Sequence, residues 1–107
     1  MSKTPKLREP EARILALRIA AKFPNHEATT AEIKDAVPEY REFSDADLLP
    51  SKSRKGECMW QQIMGNVVSH KNTSVSIFNK GYAERTHDGI RVTEKGIAML
   101  GEKGLYP

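Results

Sequence analysis

The fold is decided by residues 51 to 69, which read SKSRKGECMWQQIMGNVVS. Within them Trp60, Ile63 or Met64, and Val67 recur at the spacing of one side of an α-helix. Such a pattern predicts an amphipathic helix with one apolar side turned toward a core. We expect this central helix to begin between residues 54 and 57 and to end near residue 70 or 71.

Trp60 and Gly65 indicate how this helix packs against its surroundings. Trp60 is expected to pack against the first helix of the chain near Leu15 and Ile19. Gly65, in the middle of the helix, costs ~1 kcal/mol relative to alanine. We therefore expect another helix, or a DNA backbone, to approach the chain closely at that position.

The opposite side of the central helix is polar but carries little charge. Gln, Asn, Ser, Arg and Lys are the side chains that hydrogen-bond base edges and phosphates in a major groove. A merely solvated helix more often carries Glu and Lys in pairs four residues apart. A solvated or partner-binding surface remains the alternative interpretation. The candidate DNA contacts here are Ser51, Lys52, Ser53, Arg54, Lys55, Gln61, Gln62 and Asn66.

A β-hairpin is predicted after the helix, with strands at residues 82–85 and 90–93. Asp88-Gly89 supplies the positive φ that a tight hairpin turn demands. A helix followed by a hairpin is the second half of a winged helix, in which the hairpin is the wing. Arg85, His87 and Arg91 are the candidate contacts of this wing with the minor groove or the backbone.

The remaining segments complete the predicted fold. Residues 1–9 are expected to form a flexible basic arm, and Pro10 opens a helix that ends near Phe23. Thr29 or Thr30 can cap a short second helix that Pro38 stops, and Thr29 with Glu32 fits the capping box. Residues 44–49 predict one helical turn, and a last helix spans residues 94–100 behind a Thr93 cap. The segment 74–78 is ambiguous between strand and helix.

These elements predict an α+β fold that is mostly α. We expect a winged helix-turn-helix with a three-helix core, a β-hairpin wing and a C-terminal helix. The predicted domain spans residues 10–101, and residues 102–107 are expected to be a flexible tail.

Composition narrows the class of protein. The chain has 107 residues, of which 38% are hydrophobic and 29% charged, as expected for one small domain with a modest core. No apolar run approaches the length of a membrane span, and the N-terminus lacks the apolar core of a signal peptide. We therefore expect a cytoplasmic protein.

Charge is distributed unevenly along the chain. Residues 27 to 47 hold seven acidic and two basic residues, a net of −5, so the rest carries +8 of a total of +3. Such asymmetry predicts one basic surface, which is typical of nucleic-acid binding. Charge runs that only keep a surface soluble are the alternative.

Catalytic and metal sites are not indicated. Cys58 is the single cysteine, and no histidine lies at helical spacing from it. The three histidines are scattered without the spacing of a zinc site. His87 is expected to be a solvated turn residue, with a phosphate contact as its alternative. We expect no enzymatic activity, no metal and no cofactor.

The second half of the chain resembles a known family. The resemblance lies in Asp47-Leu48-Leu49-Pro50-Ser51, Trp60, Gly81-Tyr82, and Ile90-Arg91-Val92-Thr93-Glu94-Lys95-Gly96. These motifs resemble the N-terminal winged-helix domain of Mrr-type restriction endonucleases and related prokaryotic winged-helix regulators. The resemblance implies that the acidic Leu-Leu-Pro-Ser segment precedes a recognition helix that Trp60 anchors. The catalytic PD-(D/E)xK domain of Mrr-type enzymes does not occur in this chain.

Two functions therefore stand as expectations. The first is binding of double-stranded DNA in the nucleoid, by a small prokaryotic or phage regulator or by the targeting module of a restriction system. The second is a winged helix that serves protein interaction, including a possible homodimer. Its apolar surface would consist of Tyr40, Phe43, Ile77 and Phe78.

Overall fold

The computed structural model describes residues 4–69 and 75–106. Within them the chain forms four α-helices and one three-stranded antiparallel sheet, which confirms the α+β prediction. The helices are α1 (Glu9–Ala21), α2 (Thr30–Ala36), α3 (Met59–Ser69) and α4 (Glu94–Glu102). The strands are β1 (Glu27–Thr29), β2 (Ala83–Arg85) and β3 (Gly89–Val92), in the spatial order β1-β3-β2.

The predicted starts of α1, α2 and α4 are confirmed, whereas α3 begins at Met59 and not between residues 54 and 57. Pro10 lies in the first turn of α1, where its missing N–H needs no partner. The Thr29 hydroxyl accepts from the Glu32 N–H at 3.0 Å, and the Glu32 carboxylate accepts from the Thr29 N–H at 2.9 Å. The Thr93 hydroxyl accepts from the Gly96 N–H at 3.1 Å. Each cap satisfies a backbone donor that the helix itself leaves unpaired.

Helix α3 turns its predicted apolar side toward the core, against α1. Trp60 is 8% exposed, and Met64, Val67 and Val68 are buried. The predicted neighbours of the Trp60 ring were on α1, but its stacking partner is Phe43, with ring centroids 4.6 Å apart. Phe43 belongs to the connection between α2 and α3, so this connection forms part of the core. The predicted end of α3 at residue 70 or 71 lies outside the described residues.

The hairpin is present, but the reason for Gly89 differs from the prediction. Gly89 is the first residue of β3, and the positive-φ glycines of the described chain are Gly56, Gly81 and Gly104. A Cβ atom at Gly89 would lie 2.0 Å from the carbonyl oxygen of Ala28. The position requires glycine because β1 pairs closely with β3, not because the turn needs positive φ.

Strand β1 was not predicted. It has three residues and pairs with β3 in the register Glu27↔Arg91, Ala28↔Ile90 and Thr29↔Gly89. Its position ties the start of α2 to the hairpin. The backbone N–H of Thr30 donates to the carbonyl oxygen of Asp88 at 2.8 Å. The hairpin tip is therefore held against α2 rather than projecting freely.

Both predicted flexible ends contain packed residues. Leu7 is fully buried, and its N–H donates to Oδ1 of Asp47 at 2.9 Å. The described part of the arm is thus docked onto the core. At the other end Leu105 and Tyr106 pack against the core, and the Tyr106 hydroxyl lies 3.1 Å from Nε2 of His26. A buried leucine and a hydrogen-bonded tyrosine oppose the fraying that their terminal positions suggested.

The residues predicted to form an apolar interaction surface do not form one exposed surface. They are Tyr40, Phe43, Ile77 and Phe78, and none of them is among the exposed large apolar side chains. Ile77 is 2% exposed and belongs to the core, in a run of turns that replaces the ambiguous strand or helix. Phe43 stacks on Trp60, and Tyr40 lies beneath the guanidinium of Arg18 at 5.1 Å. The exposed large apolar side chains of the described chain are instead Leu48, Leu49 and Val75.

Candidate nucleic-acid interface

A closed loop, residues 50–58, precedes α3 and carries the candidate DNA contacts of residues 51–55. Pro50 and Cys58 form an antiparallel bridge at its base, and the Ser51 N–H donates to the Glu57 carbonyl at 2.8 Å. The Met59 N–H donates to the Leu49 carbonyl at 2.8 Å, which fastens the loop to the first turn of α3. The loop is thereby held rigidly at the N-terminal end of the helix.

Asp47 connects the start of α3 to two other parts of the chain through hydrogen bonds. Its side chain is fully buried, and its carboxylate accepts from the backbone N–H groups of Leu7 and Ser44 at 2.9 and 3.0 Å. Its backbone carbonyl accepts from the Trp60 N–H at 3.2 Å. A buried carboxylate is stable only where such donors compensate for the lost water. One residue therefore connects the N-terminal segment, the turn at 44–49 and α3.

Four of the predicted DNA contacts meet in one network across the loop and α3. The Ser51 hydroxyl donates to Oε1 of Gln62 and accepts from the Arg54 N–H at 3.0 Å. Nη2 of Arg54 donates to Oδ1 of Asn66 at 3.2 Å. Gln62 and Asn66 are one helical turn apart on α3. The sequence predicted Ser51 in a basic segment before the helix and the other three on or beside its polar side, and the structure adds the contacts between them.

Gly65 lets Arg54 lie flat against α3. A Cβ atom there would stand 3.0 Å from Nη1 of Arg54 and 3.1 Å from its Cζ. The expected reason for this glycine, a crossing helix or an approaching DNA backbone, is replaced by a contact within the chain. The missing side chain of Gly65 thus determines where the guanidinium of Arg54 lies.

The network leaves hydrogen-bond donors facing outward. Both amide oxygens, Oε1 of Gln62 and Oδ1 of Asn66, accept bonds from within the network. No hydrogen bond within residues 4–69 and 75–106 engages their amide nitrogens. An amide nitrogen and a guanidinium can only donate. The surface therefore presents donors and suits a ligand rich in acceptor oxygens and nitrogens.

Exposed cations and two leucines surround this network. Lys52, Ser53 and Lys55 are exposed on the loop. Leu48 and Leu49, 52% and 58% exposed, precede it at the same end of α3. In the sequence the leucines stood out only as part of a family motif.

Gln61 and Arg85 form hydrogen bonds at the two ends of α3. Oε1 of Gln61 accepts from the Cys58 N–H at 2.7 Å and so caps the helix start. Nη1 of Arg85 donates to the carbonyl oxygen of Val68 at 2.6 Å, near the C-terminal end of the helix. A cation at this end is favoured by the helix dipole. Arg85 is exposed and remains available for a further contact, whereas the oxygen of Gln61 is committed to the cap.

His87, at the hairpin turn, and Arg91, on β3, are not part of the network of Ser51, Arg54, Gln62 and Asn66. His87 is exposed at the hairpin tip. Arg91 donates to Oε1 of Glu84 at 2.6 Å, and it is paired in register with Glu27 on the neighbouring strand. The hydrogen bond to Glu84 raises the pKa of Arg91 above its ordinary value. With two carboxylates flanking one guanidinium, this part of the sheet surface does not present a net positive charge to DNA.

Acidic residues near the interface are also paired. Nζ of Lys34 lies 2.8 Å from Oε2 of Glu57, which joins α2 to the loop. Arg41 lies 3.2 Å from Glu11 and 3.8 Å from the buried carboxylate of Asp47. The two basic residues of the stretch 27–47, Lys34 and Arg41, thus pair with Glu57 and Glu11 outside it and with Asp47 inside it.

Neither a metal site nor a membrane span is present in the described chain. Residues 4–69 and 75–106 contain no group of three or more His, Cys, Asp or Glu side chains that could hold a metal ion. No helix of the same residues is long and apolar enough to cross a membrane. Comparison with protein-family models, curated proteins and solved structures finds no match to this chain.

Proposed function

We propose that this protein binds double-stranded DNA through the loop 50–58 and the polar side of α3. The observation that carries the proposal is the outward set of donors: the amide nitrogens of Gln62 and Asn66 and the guanidinium of Arg54, with both amide oxygens already bonded. Phosphate oxygens, and the N7 and O6 atoms of guanine in the major groove, are acceptors that such donors match.

The order of elements supports a winged-helix mode of binding. Helices α1, α2 and α3 precede the β2–β3 hairpin, and β1 completes its sheet. In helix-turn-helix proteins the N-terminal residues of the recognition helix contact base edges. The loop 50–58 lies at that end of α3, and it carries Lys52 and Lys55 toward solvent. In this mode the lysines neutralise phosphates while Gln62 and Asn66 face the bases.

The hairpin plays a smaller part in this proposal than the wing of the sequence-based prediction. Arg91 is neutralised by Glu84, and the tip is tied to α2 through Asp88 and Thr30. Arg85 and His87 remain exposed. We therefore assign most of the affinity to the loop and α3, and a supporting backbone contact to Arg85 and His87. A small regulator or the targeting module of a restriction system would use such a domain.

A fluorescence-anisotropy titration with a labelled duplex of mixed sequence tests the proposal. The double variant Lys52→Gln/Lys55→Gln is compared with Lys22→Gln/Lys95→Gln, which removes the same charge from exposed lysines at the end of α1 and in α4. Removal of a cation that neutralises a phosphate weakens binding and its salt dependence. The loop variant should lose affinity by about tenfold or more, and the control should stay near the unmodified protein.

Two results would contradict the proposal. One is no duplex binding by the unmodified protein even at low salt. The other is an equal loss of affinity in both double variants, which would mean that net charge, rather than the loop, attracts the DNA.

A further inference from the structure

The geometry points to a second binding site, for a small organic anion with an apolar body, in a pocket between α1, α4 and the turns at residues 75–82. The pocket has a volume of about 320 Å³. This lies in the size range of small-molecule sites. At ~30 Å³ per water molecule it has room for about ten waters, or for an organic molecule of about ten non-hydrogen atoms.

The walls of the pocket are apolar. The half-buried side chains of Ile14 on α1, Met99 on α4 and Tyr82 before β2 form the accessible walls, and Leu17 and Ile77, which are buried in the core, lie behind them. Apolar walls of this kind bind a hydrocarbon or aromatic body by removing it from water. Val75, 47% exposed, belongs to the same wall and is one of the exposed large apolar side chains of the described chain.

The charged residues that line the pocket are all cations. Arg13, Lys80 and Lys103 contribute to its lining, and no carboxylate of residues 4–69 and 75–106 does. None of these three cations has an ion-pair partner within residues 4–69 and 75–106. Elsewhere in that part of the chain, Lys34, Arg41, Arg54 and Arg91 all lie beside carboxylates. Unpaired cations around an apolar pocket complement a carboxylate attached to an apolar body.

The pocket does not involve the proposed DNA surface. None of the residues that line it belongs to the loop 50–58 or to α3. Tyr82, which directly precedes β2, connects the pocket to the hairpin because its carbonyl accepts from the Thr93 N–H at 3.0 Å. The two sites can therefore be tested separately, and loss of one leaves the other measurable.

The test uses octanoate, whose ten non-hydrogen atoms match the volume of about ten waters, and octan-1-ol as the uncharged control. Binding is followed by isothermal titration calorimetry and by ¹H–¹⁵N correlation spectra of the full chain. We expect octanoate to saturate the protein, to shift the amides of residues 13–17 and 77–82, and to bind more tightly than octan-1-ol.

A matched pair of triple variants tests whether the carboxylate of octanoate binds to Arg13, Lys80 and Lys103, the rim of the pocket. Arg13→Gln/Lys80→Gln/Lys103→Gln should weaken octanoate binding about tenfold or more, because the carboxylate loses its charged donors. Octan-1-ol binding should change little in the same variant. Lys6→Gln/Arg8→Gln/Lys22→Gln removes an equal charge from exposed positions outside the pocket and should bind octanoate normally. Circular dichroism confirms that both variants fold.

Several outcomes would overturn the inference. One is equal affinity for octanoate and octan-1-ol, and another is unchanged octanoate binding in the Arg13/Lys80/Lys103 variant. A third is no saturation up to about 10 mM octanoate, because binding would then be weaker than a free energy of about −4 kcal/mol. Vesicles of phosphatidylglycerol that bind through the rim, while octanoate does not saturate, would assign the surface to a membrane instead.

Discussion

The guanidinium of Arg54 lies against the backbone of Gly65, where a Cβ atom would stand 3.0 Å from Nη1. The same guanidinium donates to Oδ1 of Asn66 at 3.2 Å. One glycine thereby permits a contact that fixes both a cation and an amide on the surface proposed to meet DNA. This explains a residue that lowers helix propensity in the middle of α3.

Gly65→Ala should separate stability from binding. The atoms nearest to the added methyl group all belong to the flexible end of Arg54, so the helix can accept it. Alanine gains up to ~1 kcal/mol of helix propensity, so the thermal midpoint should hold or rise. Duplex affinity should fall because the guanidinium is displaced from Asn66. Thermal melts and anisotropy titrations on the same preparation check both parts, and a large drop in the midpoint would contradict this account of Gly65.

Trp60→Ala should be among the most damaging substitutions. The indole is 8% exposed and stacks on Phe43, so its removal opens a cavity and leaves the second ring without its partner. Removal of a buried tryptophan costs ~3 to 5 kcal/mol, a large fraction of the stability of a small domain. Urea denaturation measures the loss. A double-mutant cycle with Phe43→Ala should give a coupling of ~0.5 to 1.5 kcal/mol for the aromatic pair.

The central helix shows what periodicity can predict. Spacing alone predicts burial of Trp60, Val67 and either Ile63 or Met64, because a 3.6-residue period fixes which side chains share one side of a helix, and in the structure it is Met64 that is buried. The caps at Thr29 and Thr93 follow from local sequence for a similar reason. Each depends on residues three positions apart, which helix geometry brings together without any other part of the chain.

The interface contacts depend on the conformation of the loop and could not be predicted in this way. The bond from Ser51 to Gln62 and the contact of Arg54 with Gly65 exist because a bridge at Pro50 and Cys58 folds the loop back onto α3. Strand β1 was missed because three residues show too little alternation to indicate a strand. Its evidence was the glycine at position 89, which was instead interpreted as a turn residue.

Asp47→Ala should destabilise the fold although residue 47 makes no proposed contact with DNA. It removes the acceptor for the buried N–H of Leu7 and for the N–H of Ser44. Each of these two donors left unpaired costs ~1 to 3 kcal/mol, so the total loss should be ~2 to 6 kcal/mol. Urea denaturation measures it. Asp45→Ala, at an exposed position of the same turn, is the matched control and should be nearly neutral.

Gly89→Ala should separate β1 from β3. The added Cβ atom would lie 2.0 Å from the Ala28 carbonyl oxygen, a backbone atom that cannot move aside without breaking the pairing. We expect a clear fall in the thermal midpoint and loss of amide protection in residues 27–29 by hydrogen exchange. Gly101→Ala, where the nearest atom is 4.0 Å away, should leave the midpoint unchanged or higher. Equal behaviour of the two variants would contradict the close approach of the strands.

The salt dependence of duplex binding tests the central proposal most directly. Lys52, Lys55 and Arg85 are the interface cations that have no carboxylate partner among the described residues, and neutralisation of about three phosphates predicts a slope of log K against log salt near −2.7. Lys52→Gln/Lys55→Gln should flatten the slope by about two units, and Lys22→Gln/Lys95→Gln should not change it. A slope near zero, or the same slope in all three proteins, would contradict DNA binding through the loop 50–58 and α3.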